Sequence, residues 1–263
     1  MLSKNQVKFI NALKLKKNRE SEGLFVAEGV KIVNELLHSG IKVRQIYSSR
    51  NYQLSIFNYH IEVVRIKESE LKRISSLHSP NEVLAICEIP VHTLDIVLLR
   101  NKLCLLLDTI QDPGNLGTMI RIADWFGIEH IICSPDTVEV YNPKVVQATM
   151  GSISRVQVHY TPLEPFLEGV CKQPGTRVYG ALLEGEELYK AELSDEGFIL
   201  IGNESKGISS EFLPYITDKI RIPLFSPAGR EVSGQLNAAE SLNAAIATSV
   251  ICAEFRRRTS AKS

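Results

Sequence analysis

Residues 103–133, LCLLLDTIQDPGNLGTMIRIADWFGIEHIIC, constrain this chain more than any other stretch. Leu103–Leu107 is an apolar run of strand length that ends on Asp108. Thr109–Gly114 holds Asp-Pro-Gly, which is turn chemistry. Asn115 stands where a helix N-cap is expected. Leu116, Met119, Ile120, Ala123 and Phe126 then recur at helical spacing, Gly127 is placed to stop the helix, and Ile128–Cys133 is apolar enough for a second strand. Strand, helix, strand in so few residues is a βαβ unit, so the two strands run parallel.

The unusual residues sit at the turn. Gly114 and Gly117 let the backbone approach a ligand closely, and a helix N-terminus offers unpaired N–H groups. Arg121 follows Thr118 by three residues and Gly117 by four, so it shares their face. Helical side chains lean toward the N-terminus, which points its guanidinium back over the turn. Such a corner at the carboxyl end of a parallel strand suits a binding site, although an ordinary capped helix with a solvent-facing Arg reads the same way.

Elsewhere the pattern alternates. A basic amphipathic helix is expected over 4–18, with Val7, Ile10 and Leu13 on one side. Strands follow at Leu24–Ala27, Val43–Tyr47, Ile61–Ile66 and Val83–Glu88, with helices from Val30 to Leu37 and over Glu68–Ser76. This gives a small α/β domain over residues 1–92. The stretch 90–102 joins it to a larger α/β domain over 100–263. There, helices are expected at Asn142–Met150, Pro162–Lys172, Ser209–Leu213 and Glu240–Arg257. Strands are expected at Val156–Tyr160, Arg177–Leu182, Phe198–Ile201 and Lys219–Ile222. Alternation of this kind builds a mostly parallel sheet flanked by helices.

Net charge is zero, with 30 Lys and Arg against 30 Asp and Glu, so only local charge informs on partners. Residues 1–20 carry six basic residues against Glu20, net +5. Residues 254–263 carry four against Glu254, net +3. Basic ends suit a polyanion, and the Lys-rich first helix is a candidate RNA-facing surface. The five cysteines form no CxxC pair and sit mostly within apolar runs, as reduced core residues do, and the six histidines do not cluster, so no metal site is expected. No signal peptide and no membrane span is evident, which points to a cytoplasmic protein.

The chain has no GxGxxG after a strand, no GxxxxGK[ST], no HExxH and no GxSxG. Three polar turns remain, each at the carboxyl end of an expected strand: Asp112–Arg121, Ile201–Gly207, and Ile222–Phe225 leading to Ser241, Leu242 and Asn243. NLGTMIR, IGNESKG and IPL…ESLNAAIA resemble, in order and spacing, the three motifs of the SpoU (TrmH) branch of the SPOUT RNA methyltransferases. The motifs cover residues 103–257. LFVAEGVKIVNELLHSG also resembles that family's substrate-binding domain, a ribosomal-protein-like fold.

The resemblance implies transfer of a methyl group from S-adenosylmethionine to a ribose 2′-oxygen of RNA. It also implies a C-terminal trefoil knot, and a homodimer in which one subunit's first motif lies near the other's cofactor. Gly202, Ile222 and Leu242 match the positions whose backbone holds the cofactor, and Arg121 matches the catalytic arginine. Asn115 matches the motif-one asparagine, Glu204 is expected to pair with Arg121, and Ser241 and Asn243 are expected to cap the last helix. Asn203 and Lys206 are exposed-turn types. The extra N-terminal domain favours rRNA over tRNA as substrate. A tRNA ribose methyltransferase, a catalytically silent RNA-binding protein and a small-molecule transferase are the alternatives. Asn115, Arg121, Glu204 and Asn243 standing together argue against decay. One departure from the family pattern is an insertion of about ten residues around Ala228–Ala238.

Overall fold

The computed structural model describes residues 1–49, 61–225 and 241–260. The inserted residues Ala228–Ala238, and the expected 225–239 loop beyond Phe225, lie outside the described residues, as does Glu240. The chain divides into two compact units: Met1–His92 with Glu139–Arg155, and Thr93–Val138 with Val156–Ser263.

The first unit opens on two helices, α1 (Lys4–Ala12) and α2 (Lys16–Glu22), where the sequence pattern predicts one over 4–18. The break has a side-chain cause. Asn18 Nδ2 donates to Ala12 O at 2.8 Å, and Arg19 Nη1 donates to the carbonyls of Leu13 (3.0 Å) and Lys14 (2.9 Å). These carbonyls end one helix by bonding to side chains of the next. Strands β1 (Leu24–Glu28), β2 (Val43–Ser48), β3 (Val63–Arg65) and β4 (Val83–Glu88) form a sheet in the order β1-β4-β2-β3. β4 runs antiparallel to β1 and β2, and β3 parallel to β2. Helices α3 (Val30–Leu37) and α4 (Glu68–Ile74) complete it. Ile10 and Leu13 join Leu71 and Ile74 of α4 over Val26, Tyr47, Leu84 and Ile86 of the sheet. Ile32, Val33 and Leu36 of α3 are buried as well.

The second unit contains β5 (Leu103–Leu107), α5 (Pro113–Trp125), β6 (His130–Cys133), β7 (Gln157–Tyr160), α7 (Leu163–Cys171), β8 (Val178–Glu187), β9 (Gly197–Ile201), β10 (Asp218–Arg221) and α8 (Ala244–Ser260); a further helix, α6 (Pro143–Thr149), lies between β6 and β7 in the chain. The sheet order is β10-β8-β9-β5-β6-β7, and every neighbouring pair is parallel. Central strands buried on both faces read as unbroken apolar runs, as Leu103–Leu107 does. Leu163, Phe166, Leu167 and Val170 of α7 pack with Leu106, Ile132, Leu200 and Phe212. Against another part of the unit, Phe255 of α8 meets Tyr179 edge-on, with ring centroids 4.9 Å apart. β8 is longer than the expected 177–182, because it reaches on to pair Glu186 and Glu187 with Ile220 and Arg221 after a jump in register. Gly185 permits that close pairing, since a Cβ there would lie 2.7 Å from the Lys219 carbonyl.

The expected second domain, continuous over 100–263, is interrupted. Glu139–Arg155, which includes α6, belongs with the first unit. Arg19, only 2 % exposed, donates from Nε to Glu139 Oε2 at 3.0 Å and from Nη2 to the same oxygen. Tyr141 packs on Phe25 with centroids 4.7 Å apart, and Arg155 Nη1 donates to Glu35 Oε2 at 2.6 Å. No helix among the described residues is long and apolar enough to cross a membrane.

Candidate active site

A parallel sheet brings its carboxyl ends to one edge. Three loops therefore leave from that edge: Asp108–Asp112 after β5, Gly202–Gly207 after β9, and Ile222–Phe225 after β10. The N-terminus of α8 meets the first two through side chains. Asn115 Nδ2 donates to Glu204 Oε1, and Asn243 Nδ2 donates to Asn115 Oδ1 at 2.9 Å. One asparagine amide thus uses its donor on the second motif and its acceptor on the third.

Two expectations are corrected here. Asn115 does not cap α5. Asp112 does, accepting the Asn115 N–H on Oδ1 at 2.8 Å, with Pro113 as the first helical residue. Proline fixes the φ a first turn needs and has no N–H to leave unpaired, so Asp-Pro is the start signal. Glu204 pairs with Asn115 rather than with Arg121. Freed from capping, the Asn115 side chain can serve as the link between motifs. Arg121 is exposed, and among the described residues its guanidinium has no hydrogen bond or ion pair.

The second loop is held rigidly. Asn203 and Gly207 exchange both backbone bonds, at 3.0 and 2.8 Å. Asn203 Oδ1 accepts from Ser205 N and Lys206 N, while Nδ2 donates to Thr109 O at 2.8 Å. Gly207 has φ +70°, a conformation that favours glycine. A Cβ on Gly202 would fall 2.2 Å from the Gly207 carbonyl carbon, so only glycine fits there. Lys206 and Ser241 are exposed.

Sequence reasoning missed Asp108 and Thr109. Asp108 is buried; its Oδ2 accepts Ser209 N at 2.7 Å and its Oδ1 accepts the Thr109 hydroxyl at 2.8 Å. Thr109 has φ +56°, strained for a β-branched residue. That twist accompanies its carbonyl's bond to Asn203. A carboxylate ending a wholly apolar strand is the available signal for Asp108. A left-handed threonine leaves none.

α5 and α8 lie side by side and point the same way. Asn243 meets Asn115 at their starts. At their ends Arg256 Nε donates to Phe126 O at 2.7 Å and Nη2 to Gly127 O at 3.0 Å. Asn243 Oδ1 also accepts from Ala245 N at 3.0 Å and from Ile246 N at 3.3 Å, at the start of α8. Ala244, Ala245 and Thr248 are buried, which uses the small residues of this helix for close packing. Trp125 (84 % exposed), Leu242 and Ile246 remain exposed at these two helices. The C-terminal arginines also have partners within the fold. Arg256 caps α5, and Arg257 and Arg258 both grip Glu254, holding its carboxyl down at about 2. Arg258 also donates to Ala191 O.

The positions matched to a cofactor carry no charged side chain. Gly202 has no room for one, Ile222 is half-buried and Leu242 is 47 % exposed. Aliphatic and main-chain surface of this kind fits the flat adenine of S-adenosylmethionine.

Comparison with known proteins identifies the family. Residues 102–253 match the model of the SpoU rRNA methylase family. The chain belongs to the SpoU rRNA methylase family. Residues 4–85 match the MRM3-like substrate binding domain that accompanies the SpoU domain here. Among curated SpoU-type relatives, the 23S rRNA (guanosine(2553)-2′-O)-methyltransferase RlmP of Bacillus subtilis is 30 % identical over 97 % of each chain. A Porphyromonas gingivalis structure assigned to the TrmH family of RNA methyltransferases is 38 % identical, with TM-score 0.84 over 98 % of this chain and 99 % of that one. The AdoMet-bound rRNA methyltransferase of Sinorhizobium meliloti is 29 % identical, with TM-score 0.80 over 98 % of this chain and 96 % of that one.

Proposed function

We propose that this chain methylates the ribose 2′-oxygen of a nucleotide in rRNA, with S-adenosylmethionine as methyl donor. One observation carries the reading. Side chains of all three motifs meet in the Glu204–Asn115–Asn243 bridge at the carboxyl edge of a parallel sheet, on the helix that carries Arg121, whose guanidinium has no partner among the described residues. The names of SpoU relatives that act on rRNA, such as RlmP, favour rRNA over tRNA.

The main chain of Gly202, Ile222 and Leu242 would hold the cofactor, which when bound supplies an electrophilic methyl group on a sulfonium. The rigid Asn203–Gly207 turn fixes one wall of that slot. Arg121 grips a phosphate of the RNA and stabilises the alkoxide that develops as the 2′-hydroxyl loses its proton. A guanidinium stays protonated at any physiological pH, which disqualifies it as the base; the proton leaves to that phosphate or to a water. Asn115, Glu204 and Asn243 orient the loops that flank the reacting groups.

The parallel pairing of α5 and α8, tied at both ends, supports a C-terminal trefoil knot. The exposed Trp125, Leu242 and Ile246 support a homodimer that covers them and brings one subunit's Arg121 toward the partner's cofactor. The four-stranded sheet of the first unit, with its match to a substrate binding domain, supports a ribosomal-protein-like RNA-binding role, and likeness to the Bacillus subtilis 23S rRNA methyltransferase supports a cytoplasmic site of action. Calorimetric titration with S-adenosylmethionine tests the reading: saturable binding is expected, and its absence overturns it.

A further inference from the structure

The basic residues of the first unit separate into those used inside the fold and those left over. Arg19 is buried on Glu139. Lys14 donates to Ser75 O at 2.8 Å, Lys16 pairs with Glu20, Lys42 and Arg44 pair with Glu88, and Arg155 pairs with Glu35. Four of the others, Lys4 and Lys8 on α1 and Lys72 and Arg73 on α4, are exposed, and their side chains form no hydrogen bond or ion pair among the described residues.

These four stand on two helices fastened to each other. Leu2 N donates to Glu70 Oε1 at 2.7 Å at the start of both helices. Asn11 Nδ2 donates to Arg73 O at 2.9 Å near their ends. The two helices therefore run side by side in the same direction. Ile10 is fully buried, which turns Lys4 and Lys8 outward by the helical period. Phe9, half a turn round α1 from Asn11, is exposed to 38 % at the edge of this surface that lies away from α4, next in sequence to Lys8. α1 has no acidic residue, and Glu68 is the one exposed acid on α4. Four cations against Glu68 and the buried Glu70 leave net +2 across two adjacent helices, and their outward faces, where only Glu68 is exposed, are complementary to a phosphate backbone. An exposed aromatic beside lysines offers a stacking surface for an unpaired base.

We propose that the outward face of α1 and α4, Lys4, Lys8, Lys72 and Arg73 together with Phe9, is an RNA-docking surface. It contacts phosphates through its four cations and one base through Phe9. This deepens the methyltransferase reading by naming the surface that holds the substrate, and it is tested by binding rather than by turnover.

The probe is a fluorescein-labelled stem–loop RNA titrated with the full-length protein, read by anisotropy over a series of salt concentrations. Every phosphate left unneutralised flattens the slope of log K against log salt by about 0.7–0.9, so K4E/K8E should flatten it by roughly 1.5 and weaken binding at low salt at least about tenfold. K4R/K8R should leave both unchanged. F9A should weaken binding about tenfold with the slope unchanged, because stacking releases no counterions. Far-UV circular dichroism and thermal melts should be the same in all four proteins, which shows that the first unit still folds, and S-adenosylmethionine binding by the second unit should be unchanged. Wild-type slope and affinity in K4E/K8E would overturn the docking surface and leave the methyltransferase reading standing. Failure of the wild type to bind S-adenosylmethionine would overturn that reading by a separate measurement. If K4E/K8E stops binding anionic lipid vesicles that the wild type binds, while its RNA binding is intact, the proposal is overturned as well.

Discussion

Replacing Asn115 with Asp tests the bridge between the motifs. The Asn115 amide donates to Glu204 and accepts from Asn243. In Asn115→Asp the acceptor survives, but the donor becomes a second carboxylate facing Glu204. Two like charges about 4 Å apart repel by roughly 4 kcal/mol at the effective dielectric of a protein surface. Both residues are half-buried, so solvent and side-chain rotation relieve part of this, leaving about 1–3 kcal/mol. At about 2–4 °C per kcal/mol for a chain of this size, the melting temperature should fall by roughly 3–10 °C at pH 8. The deficit should shrink toward pH 5, where the carboxylate pair takes up a shared proton. Adding Glu204→Gln reverses donor and acceptor: the new amide at position 204 donates to the carboxylate introduced at position 115, and Asn243 still donates to it. The double variant carries the same net charge as wild type and should regain most of the lost stability. Calorimetric melts of wild type, both single variants and the double variant between pH 5 and 8 check this. A single variant that melts with wild type at pH 8, or a double variant no more stable than N115D, would refute the bridge.

Arg19→Met leaves the Glu139 carboxylate and two carbonyls without their donor, and breaking such a buried pair costs about 3–5 kcal/mol. Chemical denaturation should show that loss, with a smaller combined loss in R19M/E139L than the two singles add up to; strict additivity contradicts the pairing. Glu254 gives a pH dependence. Its folded-state pKa, held near 2 by Arg257 and Arg258, lies below its ordinary value, so its contribution is complete above about pH 5 and fades as pH falls toward 2. Thermal melts of Glu254→Gln should therefore lie below wild type at pH 7, with a gap that narrows below about pH 4.5 and closes only near pH 2; a constant gap contradicts the assignment.

Much of this fold can be read from period and punctuation alone. Leu103–Leu107 is a strand buried on both faces, so it is a continuous apolar run that hydropathy alone detects, and the Ile131–Cys133 part of the next strand reads the same way. Where side chains at long range decide, the sequence is silent. The break between α1 and α2 depends on which carbonyls Asn18 and Arg19 reach. The membership of Glu139–Arg155 in the first unit depends on contacts far apart in sequence: the Arg19–Glu139 pair, Tyr141 on Phe25 and Arg155 on Glu35. Arg19 is the lone arginine among the lysines of the first twenty residues, and arginine is the residue suited to a buried, multiply bonded cation. At the site, the motifs are legible but their partners are not. Glu204 has two residues it could reach, a cation and an amide, and the rigid turn built on Asn203 and Gly207 directs it to the amide. The C-terminal arginines have structural partners that the pattern does not name: Glu254 and backbone carbonyls of the fold.

The central claim is tested most directly by incubating the protein with tritiated S-adenosylmethionine and unmodified rRNA, then mapping ribose 2′-O-methylation at nucleotide resolution. Label at a single 2′-oxygen is expected for wild type. Arg121→Ala should bind S-adenosylmethionine as tightly as wild type, yet transfer methyl at least about a hundredfold more slowly, as expected when a charged group that stabilises a developing oxyanion is lost. Label on a base rather than on ribose, or an Arg121→Ala variant with wild-type transfer, would contradict the account.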